Sequence, residues 1–164
     1  MLENGLDKFC LSLRFLLGFL MAALAIPVGM QVIARYTGII PVYLWTEELS
    51  TFIFVWIVMI GSVIAVWDGT HFDVQITPDS SNPLIVLLQN VVVLALIAVF
   101  GTLFAFYGIE YAKFGYIQNS VMMRANLLVT YISVPISGAL WAIFACFRIY
   151  QAILEYQTPD EASA

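Results

Sequence analysis

The chain has 164 residues, of which 62% are hydrophobic and 10% charged, and a net charge of −5 at pH 7. A soluble domain carries about 45–50% apolar and about 25% charged residues, so folding in water would leave large apolar surfaces bare. Its six Lys and Arg residues are scattered, which removes the basic footprint that binding to nucleic acid requires.

Four long, uncharged and mostly apolar runs lie between Arg14 and Arg35, Glu48 and Asp68, Asp79 and Glu110, and Arg124 and Arg148. A hydrocarbon core of roughly 30 Å takes about 20 helical residues, and continuous apolar runs exclude the alternating strands of a membrane barrel. The sequence predicts an all-α integral membrane protein, a compact unit of four tilted transmembrane helices with short interfacial connections. The spans are placed at 15–35, 47–67, 84–109 and 126–148, in a single domain of residues 1–157, with a disordered tail over 158–164. Ala23-Leu24-Ala25 has the small-residue pattern of a signal-peptide cleavage site. The apolar run nevertheless continues to Ala34, and the leading segment mixes Glu3 and Asp7 with Lys8 and Arg14, so the segment is taken as a span.

Span one carries Pro27, which predicts a kink, and Gly18, Ala22, Ala25 and Gly29 on one face, where small side chains admit a neighbouring backbone. Tyr36, Tyr43 and Trp45 around the following reversal suit headgroup level. Thr46 is the expected N-cap of span two, with Glu47 and Glu48 at the positive end of the helix dipole. Phe52, Val55, Trp56 and Met59 give that helix a bulky face, while Phe54, Val58, Gly61 and Ala65 give it a smaller one. A polar connection holding His71, Asp73 and the stretch from Pro78 to Pro83 follows.

Span three is uncharged over the 26 residues Leu84 to Ile109, about 39 Å of helix, which implies tilt or protrusion. It bears a second small stripe, Ala98, Gly101, Ala105 and Gly108. An interfacial connection with Tyr111, Phe114 and Tyr116 is expected between Glu110 and Arg124. Span four contains Pro135 and Gly138 and ends at Arg148.

None of the four spans holds the mid-membrane ionisable group with which a self-sufficient transporter binds its substrate or coupling ion. Small multidrug exporters need a glutamate deep in the first helix, and span one has none. Membrane thiol oxidoreductases need paired cysteines; here Cys10 and Cys146 are isolated and are taken as unpaired. His71 is the lone histidine, too few for axial ligation of a haem. The sequence therefore predicts no enzyme, no cofactor and no metal or substrate site. One charged constellation remains, Arg35 with Glu47 and Glu48 across a short reversal. A guanidinium–carboxylate pair there is expected to clamp the hairpin, to dock another protein, or both.

Gln31-Val32-Ile33-Ala34-Arg35-Tyr36, Trp45-Thr46-Glu47-Glu48-Leu49 leading to Phe54-Val55-Trp56, Gly69-Thr70-His71-Phe72, and Val134-Pro135 with the glycine after it together resemble the small membrane subunit of tripartite ATP-independent periplasmic (TRAP) transporters. The likeness covers essentially the whole chain, with its specificity in residues 31–72. One departure stands out: Trp67-Asp68 occupy the place where the family carries arginines, so no basic contact is expected there.

The resemblance implies a non-catalytic subunit of the bacterial inner membrane with both termini in the cytoplasm. Charge alone leaves orientation open, because Lys8, Arg14 and Arg148 oppose Arg35, Lys113 and Arg124. It further implies a sodium-coupled large membrane subunit of elevator type, which this chain scaffolds. A periplasmic binding protein would deliver an organic acid such as sialic acid or a C4-dicarboxylate. Arg35, Glu47, Glu48, Trp56, Gly61, His71 and Pro135 are the candidate partner-interface residues. Two alternatives remain open at this point: an assembly or regulatory subunit of another membrane complex, and a small self-contained homodimeric transporter.

Overall fold

The structure, a computed structural model, describes residues 2–38, 41, 43–69 and 83–157. His71 and the tail over 158–164 lie outside the described residues. Helices α1 (Leu2–Thr37), α2 (Leu44–Asp68), α3 (Pro83–Ile117), α4 (Leu128–Tyr131) and α5 (Ser133–Gln157) follow one another along the chain. Four segments are long and apolar enough to cross a membrane, the last being α4 and α5 taken together.

The helices outrun the predicted spans. α1 begins at Leu2 because the charged segment before Phe15 continues the same helical seam: Cys10 is buried, and Leu6 and Leu13 pack beside it. α3 runs through Glu110, Tyr111 and Lys113 to Ile117, where a connection was expected. Its covered face, Gly101, Ala105, Gly108, Ala112 and Gly115, recurs at steps of three and four without interruption, so the pattern that builds the span also extends it. The last span breaks at Ile132, between α4 and α5. Pro135 cannot donate to the Tyr131 carbonyl and its ring crowds that turn, while the Ser133 hydroxyl donates to the Thr130 carbonyl at 2.6 Å. Pro27, by contrast, sits inside a continuous α1.

Among the covered residues of α1, Cys10, Leu13, Leu17, Leu20, Leu24, Pro27, Gln31 and Ala34 follow an alternation of three and four that turns one narrow seam toward a single neighbour. That neighbour is α2. α2 then packs on α5, and α5 on α3. The result is an open row in the order α1, α2, α5, α3, where the sequence suggested a compact four-helix unit. Compactness does not follow from apolarity in a membrane, since lipid covers an apolar face as well as a protein does.

α3 and α5 approach most closely. A Cβ on Gly138 would stand 2.6 Å from the Ala105 nitrogen and 2.8 Å from the Gly101 carbonyl oxygen, and one on Gly108 would stand 2.8 Å from the Pro135 nitrogen. The α3 stripe of small residues is thus filled from within the chain, and Pro135 is one of the groups that fill it. The α1 stripe is not: a Cβ on Gly18 or Gly29 would meet nothing within 4 Å.

The end of the row that carries the chain termini is stitched by polar contacts. Arg14 pairs with Asp68 at 2.5 Å, and the Trp67 indole N–H donates to Asp7 at 3.2 Å. The Arg148 guanidinium donates to the Val66 carbonyl at 3.3 Å, satisfying one of the free carbonyls at the α2 C-terminus. Gly69 closes α2 at φ +71, and a Cβ there would collide with that guanidinium. Trp67 also packs on Phe144 and Phe147, with ring centroids 5.1 and 5.9 Å apart. Trp67-Asp68 therefore tie α2 to Asp7 and Arg14 of α1 and to Phe144 and Phe147 of α5. Cys10 and Cys146 are unpaired.

Candidate functional site

The opposite, distal end of the row holds Arg35, Glu47 and Glu48. α2 begins at Leu44, after Tyr43, which makes no side-chain cap. Thr46, expected as the cap, lies inside the first turn: it is 2% exposed, and its hydroxyl donates back to the Tyr43 carbonyl at 2.7 Å. An early start suits the apolar Leu44 and Trp45, and it turns Glu48 away from α1. Ser50, which accepts from the Gln31 amide of α1 at 3.2 Å, marks the α1-facing side of α2. Two residues earlier is a rotation of about 200°, so Glu48 stands on the other side.

There it meets the connection between α3 and α4. The Glu48 carboxylate accepts from the Ser120 hydroxyl, from the Met122 amide at 3.2 Å and from the Met123 amide at 2.9 Å. Consecutive amides ending in a left-handed residue form an anion-holding concavity, and Arg124 supplies that residue with φ 53. The connection is otherwise held by its own polar groups. Ser120 donates through its amide to the Ala125 carbonyl at 2.8 Å, and the Asn126 amide donates to the Tyr116 carbonyl at 2.9 Å while its oxygen accepts from Leu128. Trp56 ties α2 to the same region, its indole donating to the Val129 carbonyl at 2.9 Å.

The expected clamp of Arg35 to Glu47 or Glu48 does not form. Among the described residues the ion pair is Arg14–Asp68, at the other end of the row. Glu48 is consumed by a loop more than seventy residues away, a partner with no local signature in the sequence. Arg35 stands exposed with Gln31, Val32 and Tyr36 around a surface crevice of about 430 Å³. Glu47 is also exposed and lines a larger cavity of about 550 Å³ between the start of α2 and the connection, with Leu44, Phe52, Gln118, Val121 and Met122.

Of the remaining candidates, Gly61 has open space beside it, and its face-mates Phe54 and Val58 are 55% and 48% exposed. Pro135 is committed to α3. The structure thus separates the sequence-derived set. Trp56, Glu48 and Pro135 hold the chain together, whereas Arg35 and Glu47 are exposed and make no ion pair among the described residues, and Gly61 has open space beside it.

The described residues form a set of spanning helices with open faces and a pinned connection. No curated protein matches the sequence. A family model for the DctQ component of tripartite ATP-independent periplasmic transporters matches residues 15–155, a stretch that includes the membrane-crossing part of α1, all of α2, α3 and α4, and nearly all of α5. The chain therefore belongs to the DctQ component family of these transporters, as a membrane-spanning transport component and not an enzyme.

Proposed function

We propose that this chain is the non-catalytic small subunit of a sodium-coupled transporter in the bacterial inner membrane, bracing a large elevator-type subunit that takes up an organic acid delivered by a soluble periplasmic protein. The observation that carries this reading is the open row: α1 has one covered seam, and Gly18 and Gly29 on its outer side have nothing within 4 Å of a Cβ. A face of small residues is a surface for close helix packing, and no described residue of this chain fills this one. The spans also lack ionisable groups at mid-depth, as suits a subunit that holds a partner and leaves ion coupling to it.

Reconstitution tests the division of labour. The chain alone in liposomes is expected to move no sialic acid or succinate under a sodium gradient, and uptake is expected with the large subunit and the soluble protein added. Uptake by this chain alone overturns the scaffold reading. Gly18→Leu and Gly29→Leu should lower recovery of the two-subunit complex and leave the melting temperature of the isolated subunit within about 2 °C, because no group in the chain is displaced.

The same reading places both termini in the cytoplasm. In a variant lacking Cys10 and Cys146, a cysteine at position 38 should react with a membrane-impermeant maleimide in spheroplasts and one at position 158 should not. The reverse pattern would invert the topology.

A further inference from the structure

We propose that the cavity between the first turns of α2 and the α3–α4 connection is a socket for one Lys or Arg side chain of the soluble, substrate-delivering component. This rests on the reading just given and adds a specific contact to it. Three features carry it. First, the cavity of about 550 Å³ opens to the surface beside the exposed Glu47 and Val121, so a long side chain has room to enter it. Second, its chemistry is divided: Leu44, Phe52, Val121 and Met122 line it together with Glu47. Glu48, on the same rim, is saturated by Ser120, Met122 and Met123, and Glu47 makes no ion pair among the described residues. A cationic side chain matches that division, its methylene stem on the apolar wall and its charged head on the free carboxylate.

Third, the wall is preformed and faces outward. The Glu48 contacts hold the connection, and Val121 at its tip is 79% exposed, an apolar residue displayed between the exposed Asn119 and Arg124. A polar band of this kind lies at or beyond the headgroups, within reach of a soluble protein. The lipid-facing sides of α1 and α2, where a membrane subunit would pack, carry the vacant small residues instead.

The test uses the assembled two-subunit complex in nanodiscs and the purified soluble component of the same transporter. Glu47→Gln is expected to weaken its binding about five- to tenfold and to flatten the dependence on ionic strength. Glu47→Lys should weaken it further and be restored by reversing the charge of one Lys or Arg on the soluble component. Carbodiimide should join Glu47 to a lysine of that component, located by mass spectrometry of the adduct, where the contacting residue is Lys. Unchanged binding by both Glu47 variants, in complexes that assemble and transport normally, overturns the socket and leaves the scaffold reading standing. Loss of the large subunit from the Glu47→Gln complex overturns it too, by giving the cavity a membrane-embedded occupant. If the soluble component fails to bind the unaltered complex, the functional reading falls and the socket with it.

Discussion

Gly138→Ala is expected to lower the thermal stability of the subunit sharply, whereas Gly61→Ala raises it or leaves it unchanged. The added methyl at 138 would lie 2.6 Å from the Ala105 nitrogen, 2.7 Å from the Phe104 Cβ and 2.8 Å from the Gly101 carbonyl oxygen. These are backbone atoms or atoms fixed to backbone, so no side chain can swing aside and the two helices must part. Overpacking of this kind costs about 1–3 kcal/mol. The loss falls on the closest helix pair in the row, in an environment where packing, and not expulsion of water, drives helix association. At Gly61 nothing lies within 4 Å, and Ala exceeds Gly in helix propensity by about 0.8–1.0 kcal/mol. Melting curves in detergent, read side by side for the two variants, check the contrast. Equal melting temperatures would show that α3 and α5 are not in backbone contact.

Glu48→Ala is the second large effect. It strips acceptors from the Met122 and Met123 amides and from Ser120, which is 6% exposed. Bonds to a charged acceptor are worth about 1.5–3 kcal/mol, and a buried donor left without a partner carries a similar penalty. The α3–α4 connection should therefore come free of α2 while the helices persist. Amide exchange at Met122 and Met123 should rise at least tenfold. Glu48→Gln, which keeps one carbonyl oxygen but turns an NH2 toward a donor, should fall between the two. Glu47→Ala should leave that exchange unchanged. Protected amides at 122 and 123 in Glu48→Ala would refute the pinned connection.

Much of the architecture was open to a reader of the sequence because hydropathy is a local, additive property. Each apolar run satisfies its backbone only as helix in lipid, and it does so whatever its neighbours are. The four spans and the approximate turning points follow from that. Helix ends were less legible: α1 and α3 continue past their charged residues because helix formation does not stop where the membrane does, and the break at Ile132 needed the local crowding of Pro135. The site was half legible. Glu47 and Glu48 stood out as charges beside a span, yet their division into a structural and a free carboxylate depends on a rotation of about 200° between Glu48 and Ser50 around α2 and on a loop far along the chain.

Two stripes of small residues, one on α1 and one on α3, look alike in the sequence, and only the tertiary structure tells them apart. The α3 stripe is closed by Pro135 and Gly138 of the same chain, while on the α1 stripe Gly18 and Gly29 meet nothing within 4 Å among the described residues. A stripe specifies that a backbone can come close, but whose backbone comes is set by the order in which the helices pack. That order, α1, α2, α5, α3, depends on seams matched between distant segments and on polar ties such as Arg14 to Asp68 and Trp56 to Val129, which no single window of sequence contains.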